Sequence, residues 1–164
     1  MSTTLNVALI NVVLDGDYQY EQEIPLGLAS IGAFLRSQGH PVQFHQWFAS
    51  RCGQQFLQVS QIDADVYGFQ LTMVNYLQVR RVVNQIKKVN PDAVTVFGGP
   101  FLVSLSEDIL KNEPSFDFTI IGEGEFTLLE LLQTLPDHSD EFGDIQGLVW
   151  RNTNGDVIKN PVRR

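Results

Sequence analysis

The chain has few of the residues from which metal sites and cross-links are built. It contains one cysteine in 164 residues, which excludes a disulfide framework, a zinc site of several thiolates and a self-held iron–sulfur cluster. Basic residues are also scarce, because 19 acidic side chains outnumber 11 basic ones and give a formal net charge of −8. This charge does not favour a nucleic-acid partner, whose phosphates attract basic surfaces.

Long apolar runs are missing as well. No stretch approaches the length of a membrane span, and the N-terminal residues lack the basic region of a secretory signal. We therefore expect a soluble, cytoplasmic protein without a membrane partner. A hydrophobic content of 43% over this length is typical of one folded domain.

Short apolar runs alternate with amphipathic stretches, a pattern that predicts a parallel sheet with helices on both faces. The predicted strands are 5–13, 42–47, 66–71, 93–97 and 116–121. At this length we expect the α/β flavodoxin-like order 2-1-3-4-5. Asn154-Gly155 predicts a turn between two further strands. We thus expect an α/β domain over 1–144, followed by a β-hairpin and the start of a linker over 145–164.

Several residues signal where the helices begin and end. Pro25 opens a predicted helix that Gly39 ends. Asn75 is a predicted N-cap of the next helix, and Ser104 with Glu107 matches a capping box. Residues 52–59 are weakly helical.

Ligands of such sheets bind at the carboxyl ends of the strands, which points to the loops at 11–24, 70–75, 98–104 and 122–126. These loops carry no histidine, cysteine or lysine, so a nucleophile with its base is poorly supported. Glu123 and Glu125 are interpreted as charges at a helix N-terminus.

The loops are instead rich in glycine. Gly98-Gly99 after a strand either lets the backbone pass close to a bulky group or simply makes a tight turn. Gly122 and Gly124 begin a partial dinucleotide fingerprint. Thr127 stands where its third glycine would be, and the motif follows the fifth strand, so we reject a nicotinamide site.

Taken together, the motifs are similar to those of one family. The chain resembles the cobalamin-binding domain at the N-terminus of B12-dependent radical SAM proteins. The matching segments, in family order, are PLGLASIGAFLRSQGH (25–40), DVYGFQLT (65–72), IKKVNPD (86–92), VFGGP (96–100), DFTIIGEGE (117–125) and the hairpin over 147–161.

The resemblance implies a cobalamin whose corrin lies across the strand ends and whose dimethylbenzimidazole tail enters a slot beside the sheet. The residues that it implies for binding are Asn11, Gln70, Leu71, Thr72, Met73, Gly98, Gly99, Pro100, Phe101, Gly122, Glu123 and Gly124. It also implies that the glycine pair lets the tail pass, so we expect Gly99→Trp to abolish cobalamin uptake and leave the fold intact.

The chain departs from the family pattern at several places. It lacks the Asp-x-His-x-x-Gly motif that supplies a cobalt-ligating histidine, so the expected cobalamin is base-off without a histidine ligand. Gln70 stands where serine is common, and Phe101 where histidine often follows the glycines. The cysteine motif of the radical SAM half is absent from the sequence. A radical SAM domain or protein, in cis or in trans, is therefore the expected partner, and this chain alone should hold no cluster or SAM and catalyse nothing.

Two other functions remain open at this point. Gln70 and Phe101 favour a degenerate domain without cofactor that binds a protein, with Tyr18, Tyr20, Phe101 and Phe126 as an aromatic patch. A free-standing enzyme has the least support, because no acid–base pair converges on the strand ends.

Overall fold

The structure is a computed structural model that describes residues 4–14, 25–48, 61–137 and 142–163. In these segments seven strands form one sheet in the order β2-β1-β3-β4-β5-β6-β7. The strands are β1 (Val7–Val13), β2 (Val42–Phe48), β3 (Val66–Gln70), β4 (Val94–Gly98), β5 (Phe118–Ile120), β6 (Leu148–Arg151) and β7 (Val157–Lys159). The first five are parallel, and β6 and β7 are antiparallel. The predicted order 2-1-3-4-5 with a C-terminal hairpin is confirmed.

Helices cover both faces of this sheet, as the alternating pattern predicts. They are α1 (Leu26–Ser37), α2 (Tyr76–Val89), α3 (Leu102–Asn112) and α4 (Gly124–Thr134), with a 3₁₀ turn at Leu135–Asp137. Helices α1 and α4 pack on one face with Leu9, Val66 and Val96. Helices α2 and α3 pack on the other. The weakly helical segment 52–59 lies outside the described residues.

Pro25, Gly39 and Asn75 mark helix ends as predicted, whereas the capping box of Ser104 and Glu107 does not. Pro25 immediately precedes α1 and Gly39 follows it with φ +90°. Helix α3, however, begins at Leu102, two residues before the predicted capping box. The chain turns into this helix directly after Gly99, whose carbonyl accepts the Leu102 N–H at 3.1 Å. Ser104 is therefore inside the first turn, and the capping-box prediction is wrong.

In the described segments, no helix combines the length with the apolar composition that crossing a bilayer requires.

Asp117 ties β4 and β5 together at the amino edge of the sheet. Its carboxylate accepts the Thr95 N–H at 2.8 Å and the Lys87 ammonium at 2.7 Å. We expect Asp117→Asn to lower the free energy of unfolding by about 1.5–3 kcal/mol, because hydrogen bonds to a charged group are lost. Urea unfolding measures this loss. Asp108→Asn, which changes an exposed carboxylate on α3, is the control; equal effects of the two substitutions would contradict this role of Asp117.

Candidate functional site

A cavity of about 340 Å³ opens at the carboxyl ends of the parallel strands, between the sheet, α1 and α4. This volume is at the lower end of the roughly 300–1,000 Å³ of small-molecule sites. The wall is mostly apolar or glycine: Leu9, Gly27, Leu28, Ile31, Gly68, Phe69, Gln70, Val96, Gly98, Gly99, Pro100, Val103, Ile120, Gly122, Glu123, Gly124, Glu125 and Leu128. It is large enough for a bicyclic ring and too small for a macrocycle.

Missing side chains on the sheet create this space. Because strand residues alternate between faces, Gly68 of β3 and Gly98 of β4 lie on the same face as Val66 and Val96, toward the cavity. A Cβ at Gly98 would meet no atom within 4 Å, so the space beside it is open. A Cβ at Gly68 would lie 2.7 Å from the Leu9 side chain. Gly98 therefore leaves open space at the floor of the cavity, whereas Gly68 makes room for the Leu9 side chain.

Gly99 is required for a different reason, its backbone. Its φ is +141°, and a Cβ there would lie 2.5 Å from the carbonyl oxygen of Leu71. The neighbouring Leu71 N–H donates to the Gly98 carbonyl at 2.8 Å. The two strand-end loops thus touch backbone to backbone, which only glycine allows.

Gln70 is the polar side chain at the floor. It ends β3 on the cavity face, and its Oε1 is buried without a hydrogen-bond partner. An unsatisfied buried acceptor costs about 1–3 kcal/mol. Gln70 lines the cavity, but this oxygen has almost no accessible surface and is therefore closed off from it.

Asn75 braces the loop that follows Gln70. Its Nδ2 donates to the carbonyls of Val12 at 3.3 Å and Gln70 at 3.0 Å, and its Oδ1 accepts the Thr72 N–H at 2.8 Å. Asn75 stands at the N-cap position of α2, as predicted, and its carbonyl accepts the Val79 N–H at 2.9 Å, but its side chain makes no capping bond to the helix. The buried amide instead joins β1, β3 and the loop, because those carbonyls would otherwise lack donors.

Two carboxylates lie at the mouth of the cavity. Glu125, in the first turn of α4, accepts the Ser30 hydroxyl of α1 at 2.5 Å. Glu123 immediately precedes α4 and is exposed. Gly124 lets the two helices approach, since its Cβ would lie 2.8 Å from the Ile31 side chain. Both carboxylates lie at the N-terminus of α4, where they complement the helix dipole, as predicted from the sequence.

Seven of the twelve residues singled out from the sequence line the cavity: Gln70, Gly98, Gly99, Pro100, Gly122, Glu123 and Gly124. The other five lie outside its wall. Leu71 and Phe101 pack with the core under α2 and α3. Met73 is 76% exposed, Thr72 bonds to Asn75, and Asn11 is half-buried on β1.

Sequence reasoning missed most of the apolar wall. It did not single out Leu9, Gly27, Leu28, Ile31, Gly68, Phe69, Val96, Val103, Ile120, Glu125 or Leu128 as site residues. The one signal that would have found part of it is Gly68, a glycine in the middle of a buried strand, which often marks a close approach.

The histidines in the described segments lie away from the cavity. His40 precedes β2, and its Nδ1 lies 3.2 Å from the Leu5 carbonyl oxygen. His45 is half-buried on β2, with Nε2 3.2 Å from Gln43 Oε1. Burial lowers the pKa of His45 and favours the neutral ring. His138 lies outside the described residues. No histidine of the described part lines the cavity.

The family model described as the B12 binding domain matches residues 17–132. The chain is 29% identical over 144 residues to the anaerobic magnesium-protoporphyrin IX monomethyl ester cyclase of Synechocystis, covering 80% of this chain and 27% of that protein. It is 29% identical over 143 residues to an uncharacterized methyltransferase of Pyrococcus horikoshii, covering 85% of this chain and 30% of that protein.

One solved structure with the same fold is the cobalamin-dependent S-adenosylmethionine radical enzyme OxsB with aqua-cobalamin and S-adenosylmethionine bound. The TM-score is 0.80 at 17% identity, over 98% of this chain and 22% of that chain. This chain therefore spans less than a third of the length of the proteins that it matches here. The resemblance that the motifs indicated is confirmed.

Proposed function

Because the chain belongs to the B12-binding domain family, we propose that it binds cobalamin and presents the corrin to a radical SAM domain. The observation that carries the proposal is the cavity at the strand ends, whose glycine floor leaves room for a flat bicyclic ring. In the proposed complex the nucleotide tail occupies this cavity and the corrin lies over the carboxyl edge of the sheet. Bound cobalamin would supply methyl-transfer or redox chemistry at its cobalt, and the chain would orient it.

The residues present fit the tail. Gly98 leaves open the space that a side chain would fill, and Gln70 adds a polar residue to the same wall. Apolar side chains at the same edge suit the broad surface of a corrin. Leu26, Met73, Val74 and Val103 are each more than half exposed there, and clustered exposed apolar residues mark binding surfaces. Met73 and Thr72, which the resemblance implied for binding, lie outside the cavity, and we propose that they contact the corrin instead of the tail.

The proposed cobalamin is base-off without a histidine ligand. A base that is buried in the cavity is removed from cobalt, and neither His40 nor His45 approaches the strand-end site. Asn11 lies on the cavity face of β1, near the carboxyl edge, where the lower face of the ring would lie. Residues 15–24, which follow it, are outside the described segments.

The features that favoured a cofactor-free interaction domain do not support that function in the structure. Gln70 leaves the cavity open. Phe101 packs against the core, so it does not form an exposed patch. Phe126 is 55% exposed but lies against Phe34, with ring centroids 5.0 Å apart. Tyr18 and Tyr20 lie outside the described residues.

The catalytic partner is proposed in cis, because the relatives are three to four times longer than the part that this chain matches. We propose that the domain of 1–144 with its hairpin holds the cofactor and that the partner carries the cluster, SAM and the reaction. The residues that line the strand-end cavity include no serine, threonine, cysteine, lysine or histidine.

A binding experiment tests this function. The purified chain is mixed with hydroxocobalamin, passed through gel filtration, and the visible spectrum of the protein peak is recorded. The proposal predicts one corrin per chain with a base-off spectrum. A colourless peak would contradict cobalamin binding, and a base-on spectrum would contradict burial of the tail. Gly143→Leu, which adds a side chain away from the cavity, should behave as the parent chain does.

A further inference from the structure

The strand-end cavity offers a bound base few groups with which to hydrogen-bond. Among the described residues that line it, the polar side chains are those of Gln70, Glu123 and Glu125. The Oε1 of Gln70 is closed off by burial. Glu123 is exposed, and Glu125 accepts the Ser30 hydroxyl at the N-terminus of α4. In the described segments, no uncharged side-chain acceptor is therefore open to the floor of the cavity.

The backbone of the glycine floor is already paired. The Gly98 carbonyl accepts the Leu71 N–H at 2.8 Å, and the Gly99 carbonyl accepts the Leu102 N–H at 3.1 Å. Gly68 lies in β3 between β1 and β4, so its peptide groups are within the hydrogen-bonded sheet. A polar base that enters this space would lose its water without gaining partners, which costs free energy for each unpaired group.

Cobamides differ in the lower base of the nucleotide tail, and these bases differ in polarity. Adenine carries an amino group and several ring nitrogens around a bicyclic ring. The p-cresol base is a single ring that carries only carbon and hydrogen beyond its linking oxygen. Burial of apolar surface stabilises either complex, whereas an unpaired amino group is penalised. Size alone would favour adenine and polarity alone would favour p-cresol, so the two properties predict opposite orders of affinity.

We propose that the cavity selects cobamides by the apolarity of the lower base, so that it accepts phenolyl cobamides and disfavours purinyl ones. This inference rests on the proposed function, because it places the lower base in the same cavity. A phenolic base has no ring nitrogen with which to coordinate cobalt, and a complex that holds the base away from cobalt does not need one. Recognition of the base then depends on shape and burial and not on a specific hydrogen bond.

The test measures dissociation constants of p-cresolyl cobamide, adeninyl cobamide and cobalamin by equilibrium dialysis, using the corrin absorbance. The parent chain is expected to bind p-cresolyl cobamide about tenfold more tightly than adeninyl cobamide, which is the effect of one buried polar group without a partner. Equal affinities for these two, or the reverse order, would overturn the inference, and the proposed function would stand if cobalamin binds. If none of the three binds, the proposed function fails and the inference fails with it.

A matched pair of substitutions on β4 tests the cause of the preference. Val96→Thr keeps the shape of a side chain in the cavity wall and adds a hydroxyl that can accept the adenine amino group. It should reduce the tenfold ratio to about threefold or less. Val94→Thr makes the same change on the same strand and face but outside the wall, so it should keep the ratio.

The change in this ratio isolates the cavity. Because the free cobamides are the same in every measurement, coordination of a base to cobalt in solution cancels when variants are compared. Circular dichroism checks that both variants are folded. A folded Val96→Thr that keeps the full tenfold ratio would overturn the inference, and if this variant does not fold, the comparison in the parent chain decides.

Discussion

Gly98→Leu is expected to weaken cobalamin binding roughly 10- to 100-fold without loss of the fold. The new side chain enters the cavity, because a Cβ at this position meets no atom within 4 Å. It would displace the buried base, and burial of one large apolar group stabilises a complex by about 1.5–3 kcal/mol, which corresponds to that change in affinity. Titration of the chain with hydroxocobalamin measures the change.

The control for this substitution is Gly143→Leu. A Cβ at Gly143 also meets nothing within 4 Å, but Gly143 is not part of the cavity wall. Both variants should unfold at about the parent's urea concentration, and only Gly98→Leu should lose affinity. Unchanged cobalamin affinity in a folded Gly98→Leu would contradict the assignment of the cavity to the tail.

Gly99→Ala is expected to destabilise the chain far more than Gly98→Ala. The φ of +141° costs a non-glycine residue about 1–3 kcal/mol, and a clash adds to this because the Cβ would lie 2.5 Å from the Leu71 carbonyl oxygen. Gly98, one residue earlier, has open space. Urea unfolding compares the two. Equal stabilities would contradict the backbone contact between the loops.

This contrast corrects one expectation from the sequence. Gly99→Trp was expected to block cobalamin and leave the fold intact, but the second part is wrong because any side chain at Gly99 meets the Leu71 backbone. The adjacent Gly98 is the position that separates binding from folding. The sequence alone does not distinguish Gly98 from Gly99. The difference arises only where the loops after β3 and β4 meet in the fold.

The architecture could be predicted because its causes are local and repeated. Alternating apolar runs and helical stripes indicate a parallel sheet, and right-handed crossovers restrict its strand order. The end of α1 at Gly39 also followed from local chemistry, since glycine tolerates its φ of +90°.

The helix caps show why local chemistry is not always sufficient. Asn75 is a residue type that caps helices. Its side-chain amide nevertheless hydrogen-bonds with the backbone of Val12, Gln70 and Thr72, which converge on it. Ser104 lies inside α3 because the turn at Gly99 starts the helix earlier. In both cases the path of the backbone after a strand, and not the residue type alone, decided what the side chain does.

The cavity was predicted in part for the same reason. Its glycine loops stand out in a sequence, whereas Leu9, Ile31 and Leu128 look like any core residues of strands and helices. Only the packing of α1 against α4 shows that these side chains border open space. Conversely, Phe101 follows the glycine pair in sequence but turns toward the opposite face of the sheet.

The most direct test of the central claim compares cobalamin with cobinamide, which has the corrin but no nucleotide tail. If the cavity at Gly68, Gln70 and Gly98 binds the tail, the parent chain should bind cobalamin at least roughly tenfold more tightly than cobinamide, because only cobalamin buries a base there. In Gly98→Leu the two affinities should converge. Equal affinities in the parent chain would contradict the assignment of this cavity to the tail.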